Sequence, residues 1–325
     1  MEAFAYANPT SLKEAFASLG AAWEDAAILA GGTDLITLMK QYVYSPKKVV
    51  NIKGIQELKG MERTGDGGFR IGATVTIDEM LKNRILGEEF PALQMAAKGI
   101  TSPQMRHMGT VGGDLCQRPR CWYFRNGFGL LALKDGKSLV AEGENQYHAI
   151  LGHNGKAYFV SASSFGPALV ACGAKLKIAS ASGVREVSAE DFFRIPASET
   201  EREVDLKPNE ILTEILLPVS RGTASSTYEV RQREVFDWPL ATASVMLRMN
   251  GSKVAEARIA LGHVAPKPWR ATAAEQALKG LAINEETAGK AGEAAVAGAQ
   301  PLSQNAYKVQ LAKTAVKRAL LAAKG

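Results

Sequence analysis

Two short segments of this chain combine glycine, threonine and aspartate. Paired glycines let successive backbone N–H groups converge because no Cβ intrudes, and converging N–H groups suit the oxygens of a pyrophosphate. The first segment comprises Ala30, Gly31, Gly32, Thr33, Asp34 and Leu35, and the second comprises Gly109, Thr110, Gly112, Gly113 and Asp114. Either segment alone is an ordinary turn, but together they could clamp a diphosphate from both sides. A carboxylate cannot face phosphate, so Asp34 is expected to accept a hydrogen bond from a ligand hydroxyl or from its own loop.

Strands and helices are predicted around both segments. An apolar strand at 27–30 leads into the first segment, and a helix at 91–98 precedes the second. The other predicted elements are strands at 48–52, 69–73, 158–160, 175–178 and 211–217 and helices at 77–83 and 167–171. Asn250-Gly251, between extended runs at 241–249 and 254–262, predicts a β-hairpin. Ser303 is expected to cap the last helix.

These elements divide the chain into three parts. Residues 1–55 form a small α/β unit, and residues 56–220 form a second unit that contains an irregular loop at 118–157. A stretch of small residues and turn formers at 220–227 marks the next boundary. Residues 221–325 are then expected to form a C-terminal α+β domain.

Composition and charge exclude several classes of protein. The 325 residues are 46% hydrophobic and 22% charged, which is ordinary for a globular protein. There is no apolar run of transmembrane length, no signal peptide, no dinucleotide fingerprint, no P-loop and no zinc-ligand spacing. The net charge of +6 is spread along the chain, so it does not indicate nucleic-acid binding. Three cysteines, an odd number, favour a reducing compartment, and we expect a cytoplasmic protein unless a partner exports it.

Three motifs occur in the order typical of one enzyme family. They are LAGGTDL at 29–35, TSPQMRHMGTVGGDL at 101–115 and LGHVAPKPWRA at 261–271. The chain resembles, over essentially its whole length, the FAD-binding medium subunits of molybdenum hydroxylases such as xanthine dehydrogenase, carbon monoxide dehydrogenase and aldehyde oxidoreductase. This resemblance implies an α+β fold of the vanillyl-alcohol oxidase/p-cresol methylhydroxylase type. Two subdomains would bind FAD between them, and a C-terminal α+β domain would cover the flavin.

The resemblance also assigns cofactor contacts. Both glycine-rich segments match the family's FAD loops, and Leu216 falls where relatives place an aliphatic residue near the isoalloxazine ring. Asp114 stands where relatives often have Asn, and Ser164 stands where they have an Asp that approaches the flavin. Glu229 replaces a Lys that can stabilise reduced flavin, and Arg231 is expected to substitute for that Lys. These departures are expected to affect the reduction potential of the flavin more than its binding.

The segment after the second loop points to one branch of the family. GDLCQRPRCWYFR at 113–125 and AEGENQYHAI at 141–150 are similar to FAD subunits that hold an extra [4Fe-4S] cluster, as in 4-hydroxybenzoyl-CoA reductase and a periplasmic aldehyde oxidoreductase. Cys121 matches the first cluster ligand. The other three ligand places hold Ala132, Ser138 and Ala157. One thiolate cannot hold a cluster that needs four, so we expect no [4Fe-4S] cluster in this chain and a buried thiol at Cys121.

The family implies an electron-transfer subunit without a catalytic residue of its own. Partner chains would carry molybdopterin and a [2Fe-2S] cluster, in a heterotrimer or a dimer of heterotrimers. Electrons would pass from the [2Fe-2S] subunit through FAD to NAD⁺, quinone, oxygen or another acceptor. Two alternatives stay open, namely a self-contained FAD oxidoreductase of the same fold and a scaffold subunit that has lost redox function. The organic substrate would bind on another chain, so this sequence does not identify it.

Overall fold

A computed structural model describes residues 1–323. The strands are β1 Ala5–Ala7, β2 Ala27–Leu29, β3 Lys48–Asn51, β4 Met61–Arg63, β5 Phe69–Gly72, β6 Leu133–Lys134, β7 Lys137–Ser138, β8 Lys175–Ser180, β9 Gly183–Ser188, β10 Ile211–Leu217, β11 Thr223–Val230, β12 Ala241–Asn250, β13 Lys253–Gly262 and β14 Trp269–Arg270. The helices are α1 Leu12–Ser18, α2 Leu35–Lys40, α3 Ile77–Lys82, α4 Arg84–Glu89, α5 Pro91–Gly99, α6 Pro103–Met108, α7 Val111–Leu115, α8 Trp122–Arg125, α9 Phe165–Cys172, α10 Ala189–Phe192, α11 Thr272–Leu278, α12 Glu285–Ala295 and α13 Tyr307–Ala323.

The N-terminal sheet has three parallel strands in the order β1-β3-β2. Its central strand, β3, carries the buried residues Val49 and Val50, since a strand covered on both sides reads as an apolar run. The strand β2 ends at Leu29, and α2 begins at Leu35. The first glycine-rich segment is therefore the turn between a parallel strand and the following helix.

The second sheet has five antiparallel strands in the order β4-β5-β10-β8-β9. The helices α3, α5, α7 and α9 pack against it through one apolar cluster that includes Ile71, Leu93, Leu169 and Ile215. The second glycine-rich segment lies at the edge of this layer and forms the start of α7. The long connection between α7 and α9 is mostly irregular, as expected, apart from α8 and the short hairpin β6-β7.

The third sheet has four antiparallel strands in the order β11-β12-β13-β14. The hairpin β12-β13 turns at Asn250-Gly251, as the sequence predicted. The helices α11, α12 and α13 bury their alanine-rich faces on this sheet. The observed mixture of sheets and helices confirms the predicted α+β class.

Three local predictions were wrong. Residues 158–160 are extended but form no strand, because their neighbours bond to separate loops: Ala149 N–H donates to Tyr158, and Ser161 N–H donates to Ala265. Residues 223–227, expected to be turn-rich, begin strand β11, where small side chains admit α13 closely and Ser226 Oγ donates to the Ala319 carbonyl. The last helix begins at Tyr307, after Ser303, whose hydroxyl accepts instead from Asn145. None of the helices in residues 1–323 is long and apolar enough to cross a membrane.

Candidate cofactor site

The first glycine-rich segment presents a row of free backbone donors. Within residues 1–323, the N–H groups of Ala30, Gly31, Gly32 and Thr33 form no hydrogen bond to another backbone group. Gly32 has a φ of 74°, a left-handed conformation that disfavours other residues. The turn therefore leaves several N–H groups available to an anionic ligand at the start of α2.

The second segment is fixed by its own backbone bonds. Thr110 caps α7 by accepting a hydrogen bond from Gly113 N at 3.1 Å. The N–H of Gly112 donates to the Ala73 carbonyl at 2.9 Å, and Val111 N–H donates to Val75 at 3.0 Å. These bonds join α7 to the end of β5, so the loop position is set by the second sheet.

Close backbone contact explains two of the glycines. A Cβ on Gly31 would overlap the carbonyl oxygen of Met108, which belongs to the approach to the second loop. A Cβ on Gly112 would lie 2.7 Å from the Ala73 carbonyl oxygen, which is closer than real Cβ atoms come. The two glycine-rich loops, distant in sequence, are thus in direct contact.

One cavity runs along both loops. The sequence-predicted residues that line it are Ala30, Gly31, Gly32, Thr33, Asp34, Leu35, Thr110, Gly112 and Gly113. Its other wall comes from residues that sequence reasoning missed, namely Glu203, Val204, Leu206, Ile211 and Leu212. These residues carry no sequence motif. The strand β10 and the chain before it reach the cavity only because of the order in which the strands pair in the second sheet. Gly109 and Asp114 support the loops from outside the lining.

Asp34 does not bond to its own loop. Its carboxylate accepts from the backbone N–H of Arg118 at 2.8 Å and from the guanidinium of Arg125 at 2.7 Å. Arg120 pairs with the same carboxylate at 3.1 Å. Asp34 therefore ties the first loop to the segment after α7, which corrects the expectation that it would accept within its own loop.

Cationic side chains line the same cavity. Arg118 Nε donates to the buried carboxylate of Glu203 at 2.8 Å, and burial raises the pKa of that carboxyl. Arg202 lies over the ring of Trp23, with 4.2 Å from its guanidinium carbon to the ring centroid. Arg118 is neutralised by this pairing, whereas Arg202 has no carboxylate partner among the described residues and brings positive charge to a cavity that already carries free N–H donors.

The sequence matches two family models that together span most of the chain. Residues 2–220 match the FAD binding domain in molybdopterin dehydrogenase, and residues 226–323 match the CO dehydrogenase flavoprotein C-terminal domain. The chain belongs to the FAD-binding medium subunits of molybdenum hydroxylases.

Individual proteins of this family are similar over nearly full length. The carbon monoxide dehydrogenase medium chain of Hydrogenophaga pseudoflava is 31% identical, over 98% of this chain and 96% of that one. The aldehyde oxidoreductase FAD-binding subunit of Escherichia coli K12 is 29% identical, over 96% of both chains. The structure titled reconstituted CO dehydrogenase from Oligotropha carboxidovorans gives a TM-score of 0.79 at 26% identity, over 99% of this chain and 98% of that one. These relatives are oxidoreductase subunits.

The cavity fits the adenosine diphosphate part of the FAD that this family of subunits binds. Free N–H groups of the first loop lie beside Thr110 of the second, whose own N–H and hydroxyl hydrogen have no acceptor among the described residues, so diphosphate oxygens would meet donors from both loops. The glycines at the loop contact leave no room for side chains. The apolar residues Ile211 and Leu212 provide a surface for a flat ring at the other end.

In this flavin subunit, Asp114 holds the start of α9 together. Its buried carboxylate accepts from the hydroxyl of Ser163, from Ser164 N–H at 3.2 Å and from Phe165 N–H at 3.1 Å. Burial raises the pKa of this carboxyl. The two positions that depart from the family pattern, Asp114 and Ser164, are therefore direct neighbours, and the acid group stands on α7 rather than at the start of α9.

Leu216 lies away from the cavity. It occupies β10 opposite Arg70 and Lys175 of the neighbouring strands, whereas Leu212, four residues earlier on the same strand, lines the cavity. The strand was assigned correctly, but its position relative to the loops depends on the antiparallel register with β5 and β8.

Arg231 is already paired within the protein. Its guanidinium donates to the carboxylate of Glu229 and, at 2.7 Å, to the Asp237 carbonyl. Both side chains are largely buried, burial raises the pKa of Glu229, and Glu229 Oε1 has no hydrogen-bond partner within the described chain. Arg231 therefore does not offer a free positive charge, contrary to what its predicted role as a substitute cation requires.

The four cluster positions form no recognisable metal site. Ala132 and Ala157 are buried in apolar clusters, and Ser138 Oγ accepts from the N–H groups of Val140 and Ala141. Cys121 Sγ lies 3.1 Å from His148 Nε2, and burial raises the pKa of the thiol. No group of three or more His, Cys, Asp or Glu within residues 1–323 could hold a metal ion. The absence of a [4Fe-4S] cluster remains a prediction.

Proposed function

We propose that this chain transfers electrons through bound FAD, from a [2Fe-2S] partner subunit to an external acceptor. The observation that carries the proposal is the contact between the two glycine-rich loops along one cavity with unused N–H donors. Bound FAD would supply the redox chemistry, accepting electrons and releasing them. The protein residues would bind, orient and shield it.

Distinct parts of the chain would perform these tasks. N–H groups of residues 30–33 and the Thr110 region would hold the diphosphate, with Arg202 adding positive charge. Asp34 would keep the two loops at a fixed separation through Arg120 and Arg125. Asp114, Gly109, Ser164, Leu216 and Arg231 would not contact the diphosphate, since none of them is among the residues that line this cavity.

We further propose that the chain works in the cytoplasm in a complex with molybdopterin and [2Fe-2S] subunits. Three free thiols, Cys116, Cys121 and Cys172, favour a reducing compartment. The medium chains similar to this one are named as parts of dehydrogenase complexes. The organic substrate would react on the molybdopterin subunit, so this chain needs no catalytic residue.

Purification of the full chain with its partners tests the proposal. We expect a yellow complex with flavin absorbance near about 450 nm that is bleached when the substrate of the molybdenum subunit is added. A complex without flavin, or one whose flavin stays oxidised while the iron–sulfur cluster is reduced, would favour the scaffold alternative. Turnover of an organic donor by the isolated chain would favour a self-contained oxidoreductase.

Metal analysis tests the predicted absence of a cluster separately. The purified chain alone should contain FAD and substantially less than one iron per chain. About four irons and four sulfides per chain would contradict the prediction, since a [4Fe-4S] cluster holds that number. The result does not depend on electron transfer.

A further inference from the structure

The carboxylates that line the cofactor cavity differ in how far their oxygens are occupied. They belong to Asp34, Glu203 and Glu210. Both oxygens of Asp34 are engaged by the segment after α7. Both oxygens of Glu210 accept from the guanidinium of Arg185, at 2.9 and 2.8 Å. Glu203 is therefore the one lining carboxylate with capacity left for a ligand within residues 1–323.

One oxygen of Glu203 is bound and the other is free. Glu203 Oε1 accepts from Arg118 Nε at 2.8 Å, whereas Oε2 accepts from no other residue of the described chain. Glu203 is 7% exposed, and Oε2 is not one of the fully buried atoms without a partner in the described chain, so it keeps accessible surface. Because Glu203 is part of the cavity lining, this surface faces the cavity.

Arg118 joins Glu203 to the first glycine-rich segment. Its backbone N–H donates to Asp34 at 2.8 Å, while its Nε donates to Glu203 at 2.8 Å. Asp34 directly follows Thr33, the last of the four residues whose backbone N–H groups are free. Glu203 is thus one arginine away from the donors that would hold a diphosphate.

A free carboxylate oxygen in a site for anions restricts the ligand. A carboxylate only accepts hydrogen bonds, and its charge repels phosphate. Arg118 offsets the charge of Glu203, but it covers only Oε1. Covering Oε2 with a ligand that donates nothing to it would cost binding free energy. A ligand that fits both parts of the cavity therefore carries a diphosphate and, close to it, a hydrogen-bond donor.

We propose that Glu203 accepts a hydrogen bond from a ribose hydroxyl of the cofactor and thereby selects ligands with an intact sugar diol beside the diphosphate. The ribose is attached directly to the diphosphate, whereas the amino group of adenine lies at the far end of the nucleoside. The link through Arg118 to the first loop favours the nearer donor. The inference rests on the proposed binding of FAD and adds a residue that no sequence motif marks.

Calorimetric titration of the flavin-free full chain with ADP and with 2′,3′-dideoxy-ADP tests this contact. The two ligands share adenine and diphosphate and differ only in the sugar hydroxyls. ADP should bind about tenfold more tightly, because a hydrogen bond to a charged group contributes on the order of this factor. Equal affinities would overturn the proposal. Binding of FAD without binding of ADP, or ADP that added FAD does not displace, would overturn it as well.

The same sample separates this inference from the proposed function. FAD is titrated first, and a chain that does not bind FAD fails the proposed function and this inference with it. A chain that binds FAD but does not distinguish ADP from its dideoxy form fails only the inference.

Glu203→Gln assigns the selectivity to this residue. The amide oxygen can still accept from Arg118, and the NH₂ group then turned to the sugar is not an acceptor. The preference for ADP should fall to about twofold or less. Because the preference compares two ligands on one variant, a change in its stability cancels. Glu256→Gln, which alters an exposed pair with Arg248 outside the cavity, should keep the tenfold preference. A full preference in Glu203→Gln would overturn the proposal.

Inosine diphosphate distinguishes the sugar from the base, since it lacks the amino group of adenine. Its affinity relative to ADP should be the same in Glu203→Gln and in the unaltered chain. A ratio that changes in the variant while the dideoxy ratio stays constant would assign Glu203 to the base and overturn the proposal.

Discussion

Gly31 packs against the carbonyl oxygen of Met108, so that a Cβ at position 31 would overlap it. Gly31 lies in the turn after β2, Met108 is the last residue of α6, and the two lie 77 positions apart in the sequence, by subtraction of 31 from 108. This contact brings the two glycine-rich loops together. This close approach alone explains why position 31 needs glycine, whether or not the residue also contacts a ligand.

Gly31→Ala should lower FAD affinity roughly tenfold to hundredfold, because the overlap forces the loops apart by a strain of about 1–3 kcal/mol. Fluorescence titration of flavin-free chain with FAD measures the effect. Gly289→Ala is the matched control, since a Cβ there meets nothing within 4 Å in α12. The control should retain FAD affinity and gain about 0.5–1 kcal/mol of helix stability. Equal FAD affinity of Gly31→Ala and the unaltered chain would contradict the loop contact.

Asp34→Asn should destabilise the protein by about 3 kcal/mol, because Arg120 and Arg125 would lose their shared, largely buried carboxylate. FAD retention during gel filtration should fall in parallel, since the first loop would no longer be fixed to the segment after α7. Asp25→Asn, which removes an exposed pair with Lys47, should change neither quantity by more than about 1 kcal/mol. Thermal and urea unfolding provide the free energies. A stable Asp34→Asn variant that keeps FAD would show that Asp34 is dispensable.

Glu229→Gln should raise the reduction potential of the bound FAD. The substitution removes a buried negative charge and frees the positive charge of Arg231, and both changes stabilise the reduced flavin. A rise of roughly 30 mV corresponds to about 1.4 kcal/mol for two electrons. Spectroelectrochemistry measures the midpoint potential, with the exposed Glu256→Gln as control. A potential that stays the same or falls would mean that this pair does not act on the flavin.

Stability should fall in acid through His148. Burial, and secondly the charge of Lys308, lower the pKa of His148 to about 4, against about 6.5 in the unfolded chain. The neutral ring therefore contributes stability that is fully present above pH of about 6.5 and is lost as the pH falls through about 4. Relative to His148→Phe, the unaltered chain should lose up to about 3 kcal/mol over this window. Urea unfolding at several pH values measures it, and the exposed His107→Phe should follow the unaltered chain.

Much of the site was predictable because its residue types are needed locally. A strand that leads into a diphosphate site needs glycines and a hydroxyl in the turn that follows, and residues 30–35 have both, so the sequence predicts such a site directly. The partners of Asp34 could not be predicted, because Arg118, Arg120 and Arg125 lie in an irregular segment whose path follows from packing. That Leu212 rather than Leu216 lines this cavity could not be predicted either, since both lie on one strand and only the pairing of β10 with its neighbours decides which reaches it.

The sequence by itself determined the family, the α+β class and the two loops, because glycine, threonine and apolar periodicity impose their conformations over a few residues. Tertiary structure alone decided that Asp114 accepts from Ser163 and Ser164, that Glu229 neutralises Arg231, and that Glu203 reaches the cofactor cavity. Each of these depends on groups that are far apart in the chain and meet only after the sheets have packed. Burial then fixes their charges, since desolvation acts on the assembled site rather than on a residue type.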